Sequence, residues 1–268
     1  MMTQICGDVG DGKTALAVKL ALDCMIGDYA SSRINEIEKL CATAARLGKH
    51  FTPPIGHSVF SDIKIKLDRP LRPRIRNHAV TGWQIGFPNK HFETKFIPPY
   101  SDVFLDEAQT IYDSILAQNR IRPEVLSYYA WHRHPWMNFY FTCQRPISII
   151  KSVRGLVERF VFPKIRPLDD RGKIVKEGDD RKIVKVIWDC VEFNNMNAAI
   201  AYADGKDDTG GKKTKYVHDG DIFKNYDSHA RLKVYLDGYE GYDFGDVCKN
   251  DDFALSDIIA PPGFYLGD

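Results

Sequence analysis

Residues 7–14 read Gly-Asp-Val-Gly-Asp-Gly-Lys-Thr, and no other stretch limits the possible folds of this chain as much. It fits the phosphate-loop pattern G-x-x-x-x-G-K-[ST] at every fixed position. Glycines let successive backbone N–H groups curl around a β-phosphate, and the helix that follows adds a positive N-terminus. The pattern makes Gly7, Asp8, Val9, Gly10, Asp11, Gly12, Lys13, Thr14 and Ala15 a nucleotide cradle. Lys13 would reach the β- and γ-phosphates of ATP, and Thr14 Oγ1 would hold Mg²⁺. The competing reading is a chance match in a surface turn. Its context argues for the cradle: a short apolar run, Met2–Cys6, precedes it, and ALAVKLALDCMIG follows with apolar residues at three- and four-residue steps.

A second element has the chemistry that such a loop needs. Asp102-Val103-Phe104-Leu105-Asp106-Glu107 is an apolar strand ending in two carboxylates. Asp106 would serve Mg²⁺ and Glu107 would orient and polarise the attacking water. Acids are also favoured at a helix start, and both readings hold together if a helix begins at Ala108. Gln144 ends the strand-like run NFYFTC. A polar side chain at the carboxyl end of a sheet strand faces the crevice where α/β ligands bind, which suits a γ-phosphate sensor; the alternative is a plain turn before Arg145-Pro146. Arginines that stabilise transition-state charge, often from a neighbouring subunit, have candidates in Arg133, Arg154, Arg145 and Arg120, although a solvated face is the commoner fate of any one of them.

Strand-like and helix-like stretches alternate to about Val161, as in a mainly parallel α/β sheet. Helices are expected over Ser31–Leu47, with Ser32 as N-cap and Gly48 as stop, over Pro123–His134, and over Ser152–Phe160. HSVFSDIKI reads as a strand plus turn, and residues 68–99, rich in Pro, Gly, Arg and aromatics, as an irregular connection. The pattern then changes. Lys173–Val191 reads as a hairpin and Asp204–Lys215 as a mobile loop. A division is therefore expected between a phosphate-loop core, 1–165, and a partly β appendage, 166–268. Tyr128, Tyr129, Trp131 and Trp136 are expected in the core, and the interrupted basic run Lys164–Lys176 on a solvated face.

Composition excludes several classes. A formal net charge of +1 gives no global pull toward nucleic acid or anionic lipid. The six cysteines form no C-x-x-C pair and no zinc spacing, as expected of reduced thiols in a cytoplasmic protein. A phosphate loop this close to the first residue leaves no place for a signal peptide. No apolar run reaches the roughly 18 residues that a membrane span needs.

Read in order, these motifs resemble the zonular occludens toxin-like family, assembly ATPases of filamentous bacteriophages related to the FtsK/HerA-like DNA-pumping motors. GDVGDGKT, HSVFSDIKI, VFLDEAQ, PEVLSYYAWHRHPWMNFYFTCQRP, SVRGLVERFVF and GDIFKNYDSH carry the resemblance, from about residue 2 to 229. It implies an ATP- and Mg²⁺-dependent hydrolase working as a ring-shaped homo-oligomer. Its partners would be phage assembly proteins and single-stranded DNA or its coat complex. It would sit in the host cytoplasm at the inner membrane; the membrane helix of many relatives has no counterpart here, so the chain either acts through a membrane partner or is a shorter variant. Within the resemblance Gly7, Gly12, Lys13 and Thr14 bind nucleotide, Asp106 and Glu107 serve metal and water, Gln144 is the sensor, and Arg133 or Arg154 acts in trans. The Ser31–Leu47 helix looks like an insertion. Two other readings of the residues remain: a phosphate-loop kinase for a small metabolite, with residues 68–76 as a lid, and a nucleotide-gated scaffold that docks through the apolar tail 258–266.

Overall fold

A computed structural model describes residues 1–47, 56–79, 100–110, 112, 129–130, 136–176, 178–206 and 210–226. Within them eight strands form one mixed sheet. These are β1 (Met2–Cys6), β2 (His57–Ser61), β3 (Ile75–Ala79), β4 (Ser101–Leu105), β5 (Asn138–Cys143), β6 (Arg159–Leu168), β7 (Lys185–Phe193) and β8 (Lys212–Asp219). Their order is β3-β2-β4-β5-β1-β6-β7-β8. The pairs from β3 through β6 are all parallel; β6–β7 and β7–β8 are antiparallel. The fold is α/β with a mainly parallel sheet of the phosphate-loop type, as the alternation of elements implies.

The central strands are covered on both faces, which explains their near-continuous apolar runs. One face packs against α1 (Lys13–Ile26): Ile5, Val59, Phe104, Val161 and Trp188 meet Leu16, Val18, Ala21 and Met25. The other face joins Phe139, Phe141, Phe160 and Phe162 to Tyr112, Tyr129 and Val153. Residues alternating along one strand, such as Phe104 and Leu105, therefore enter different cores. Each fully buried Leu, Ile, Val or Phe contributes about 1.5–3 kcal/mol, so two filled layers hold the strand ends in fixed register.

The structure changes several sequence-based boundaries. Helix α2 (Asp28–Leu47) starts directly after Gly27, so Ser32 lies inside it and caps nothing. Gly27 ends α1 in an extended conformation, and Asp28 provides the acid that favours a new first turn. Residues 68–79 are not wholly irregular: Ile75–Ala79 pairs in parallel with β2. An edge strand needs only one apolar face, so Arg76 and Asn77 masked it. The helix expected over Ser152–Phe160 is a single turn, α3 (Lys151–Arg154), because Gly155 ends it and Arg159 already belongs to β6. The hairpin pairs β6 with β7, from Phe160–Phe193 to Leu168–Lys185, so its first arm precedes Lys173. β8 begins at Lys212, inside the stretch read as a loop. Tyr129 is buried as expected, whereas Trp136 is 48% exposed and stacks on Tyr100 at 5.3 Å. Tyr128, Trp131, Gly48, residues 80–99 and all of Pro123–His134 except Tyr129 and Ala130 lie outside the described residues.

The position of β6 sets up the site. Its pairing with β1 ends at Ile5–Val161, while its pairing with β7 continues to Leu168. Beyond Val161 the strand therefore projects past the carboxyl end of β1, with no strand partner on that side among the described residues. Pro163 and Pro167, which lack an N–H for a ladder, lie in this stretch. The division expected at 165/166 falls inside β6, and the strands on either side of it belong to the same sheet.

Candidate functional site

The phosphate loop leaves β1 at Gly7, whose N–H donates to the Gln144 carbonyl at the end of β5 (3.1 Å). Asp8 N–H donates to Asp11 Oδ2 (2.7 Å), and the Lys13 ammonium donates to the Asp8 carbonyl (2.9 Å). Lys13 is only 6% exposed, so its charge is held over the loop that the pattern assigns to phosphate. Gly12 has φ 81°, in the left-handed region, and precedes the first turn of α1 with no side-chain cap. That turn also carries no acidic side chain. The N-terminal N–H groups of α1 are thus left for an anion.

The extension beyond β1 forms a wall against this loop. Trp188 Nε1–H donates to the Gly12 carbonyl (3.1 Å), and a Cβ built on Gly12 would lie 2.6 Å from Ile165 Cβ. Glycine at position 12 is thus demanded twice, by its φ and by the closeness of β6.

The two carboxylates come to the same place. Thr14 Oγ1 donates to Asp106, 3.0 Å from Oδ1 and 3.2 Å from Oδ2. Asp106 is 9% exposed and follows β4 directly, so β4 ends at Leu105 and the acids occupy the turn. Glu107 has φ 47°, and its carboxylate accepts from Gln109 Nε2. Among the described residues one 3₁₀ turn, Ala108–Thr110, follows. Both backbone N–H groups of the acid pair find side-chain acceptors from neighbouring segments, just past β2 and on β5: Asp106 N–H donates to Asp62 Oδ1 and Glu107 N–H to Thr142 Oγ1, each at 2.8 Å. Thr142 Oγ1–H in turn donates to Asp106 Oδ1.

Gln144 is exposed beside the loop. With Gly7, Asp8, Asp11, Arg145, Phe162 and Tyr202 it lines a cleft of about 840 Å³ that runs onto β6–β8. Arg154, on α3, donates to the Ile149 carbonyl at 3.2 Å. Arg133 and Arg120 lie outside the described residues. The pair formed by Thr14 and Asp106 offers only oxygen, which suits a small hard cation such as Mg²⁺ that completes its shell with water and phosphate. Among the described residues no cluster of three or more His, Cys, Asp or Glu could hold a metal by itself.

Sequence reasoning missed Asp62, Thr142, Trp188 and Tyr226. The bridge between Ile65 and Tyr226 brings the end of the described chain to the site. Burial first, and then the Asp106 charge, push the Tyr226 phenol up to about 12. Asp62 and Thr142 each sit at the carboxyl end of an apolar run, the same signal that drew attention to Asp106 and Gln144. Cys6 and Cys143 face each other at 3.5 Å below the loop, and burial pushes the Cys6 thiol well up, which suits an inert core pair.

No protein-family model and no curated protein matches the sequence. Among solved structures, the chain is similar to the N-terminal domain of zonular occludens toxin from Neisseria meningitidis, with 14% identity and a TM-score of 0.42, covering 84% of this chain and 98% of that one. It is also similar to the genome packaging NTPase B204 from Sulfolobus turreted icosahedral virus 2 in complex with ATP-gammaS, with 10% identity and a TM-score of 0.34, covering 82% and 96%.

Proposed function

We propose that this chain is an ATP-hydrolysing motor of filamentous phage assembly that drives extrusion of single-stranded DNA virions. The observation that carries the ATPase reading is the Thr14–Asp106 contact, which joins two segments 92 residues apart. The resemblance in sequence supports the assignment to virion extrusion.

ATP would lie with its phosphates on the Gly10–Thr14 loop and the N-terminus of α1. Lys13 would exchange the Asp8 carbonyl for phosphate oxygens. Thr14 and Asp106 would hold Mg²⁺, which when bound neutralises phosphate charge. Glu107 would orient water and take its proton, and Gln144 would sense the γ-phosphate from the adjoining strand end. Arg133 or Arg154 of a neighbouring copy would complete the site in a ring. Among the described residues no helix is long and apolar enough to cross a membrane; a partner would hold the motor at the inner membrane.

Glu107→Gln keeps the shape and removes the base. We expect retained ATP binding and turnover reduced by orders of magnitude, as for other losses of a water-positioning group. A variant that hydrolyses ATP at the parent rate would remove Glu107 from the mechanism. Turnover per subunit should also rise with protein concentration; a flat profile in a sedimenting monomer would count against a motor with shared sites.

A further inference from the structure

We infer that Thr142 is a positioning residue whose single hydroxyl sets the two acids in register with each other. The inference rests on the hydrolytic reading above and concerns a side chain that the phosphate-loop pattern does not assign. Thr142 lies on β5, next to β4 in the sheet, and is 1% exposed. Its Oγ1 accepts the Glu107 N–H at 2.8 Å and donates its proton to Asp106 Oδ1. One atom thus holds the metal-side acid by its carboxylate and the water-side acid by its backbone.

The turn needs such a hold. β4 stops at Leu105, so the next two N–H groups leave the strand ladder and would be buried without partners. Asp62 takes the first and Thr142 the second. Glu107 also adopts φ 47°, which non-glycine residues enter only when neighbouring contacts compensate. Remove the hydroxyl, and the Glu107 backbone is free to leave that conformation while Asp106 loses one of the two hydroxyls, from Thr14 and Thr142, that fix its carboxylate. The effect should fall on metal use and on turnover, not on grip of the nucleotide phosphates, because none of the cradle N–H groups touches Thr142.

The test is a series at this position in the full chain. Thr142→Val keeps the volume and deletes the hydroxyl. Thr142→Ser keeps the hydroxyl. Thr142→Cys matches serine in shape but hydrogen-bonds weakly. Binding of a fluorescent ATP analogue is titrated in EDTA and then against Mg²⁺, alongside ATP turnover. For Val and Cys we expect parent-like affinity in EDTA, a half-saturating Mg²⁺ raised about fivefold or more, and kcat lowered by about tenfold or more. Ser should stay within about twofold of the parent on both readouts. Should Val fail to fold, the Ser–Cys comparison decides. Equal Mg²⁺ titrations and turnover for Ser and Cys would overturn the inference, as would a Val variant indistinguishable from the parent. A parent that binds the analogue yet never hydrolyses ATP overturns the motor reading instead, and the Mg²⁺ titrations still report on Thr142.

Discussion

Gly12→Ala tests how closely the antiparallel extension grips the phosphate loop. Gly12 sits at φ 81°, and alanine there costs roughly 1–2 kcal/mol from backbone strain alone. The new Cβ would meet Ile165 at 2.6 Å from Cβ, 2.8 Å from Cδ1 and 2.9 Å from Cγ2. Carbon atoms prefer about 3.5–4.0 Å, so roughly 1 Å of movement is required. Rotation of Ile165 cannot provide it, because the nearest atom is its Cβ. β6 itself must move, and Trp188, bonded to the Gly12 carbonyl from β7, resists. Overpacking of this kind costs about 1–3 kcal/mol, for a total of about 3 kcal/mol. The geometry further predicts which second substitution rescues. Ile165→Ala removes Cδ1 and Cγ2 but leaves the worst contact in place. Ile165→Gly removes all three. In urea denaturation with unchanged m-value, Gly12→Ala paired with Ile165→Gly should show a favourable coupling of about 2 kcal/mol, and paired with Ile165→Ala less than half of that. A Gly12→Ala cost under about 0.5 kcal/mol, or rescue by Ile165→Ala as full as that by Ile165→Gly, would refute this packing.

Lys13→Ala removes the ammonium that lies over the loop; we expect ATP affinity by calorimetry to fall at least about tenfold, and an unchanged affinity would contradict the phosphate-loop assignment. His78 supplies a pH test away from the site. Burial, reinforced by Arg76, pushes its imidazole down to about 3, so the folded form stays neutral while the unfolded chain takes up a proton below the ordinary value near 6.5. This contribution is intact above 6.5 and is lost as pH falls from 6.5 toward 3, at about 1.4 kcal/mol per pH unit, or roughly 2 kcal/mol by pH 5. His78→Phe, which keeps the stacking on Phe60, should flatten the acid limb of stability against pH by one proton's worth; an unaltered slope would refute it.

Legibility in the sequence followed how local each signal is. The loop, α1, β4 and β5 announce themselves because contiguous residues carry both the apolar run and the polar end; the pairing of Thr14 with Asp106 could then be anticipated from chemistry. Asp62 and Thr142 were missed for the opposite reason. Each acts on the backbone of the turn that follows β4, far away in sequence, and nothing in NFYFTC says that its threonine faces Glu107 and not the core. Arg76 and Asn77 hid β3 because an edge strand gives only half of the alternation. The helix expected over Ser152–Phe160 is shorter than that stretch, since the sequence alone does not show that Gly155 ends the turn and that Arg159 has entered a ladder.

The change in composition near residue 165 has a specific structural counterpart. Up to Val161, β6 is an interior parallel strand with β1 on one side and β7 on the other. Past it, only antiparallel neighbours remain, and β8 at the sheet edge exposes Lys212, Lys213 and Lys215. Charged residues therefore enter the sequence where the sheet loses its second cover, while the same strands still reach back to the loop through Ile165 and Trp188. The described chain closes in the same way, with Lys66 N–H donating to the Asn225 carbonyl at 2.7 Å and Asn225 Nδ2 to the Lys66 carbonyl at 3.0 Å. Ile165 and Trp188 thus join β6–β8 to Gly12 by direct contact, and the closing segment is joined to the chain at Lys66.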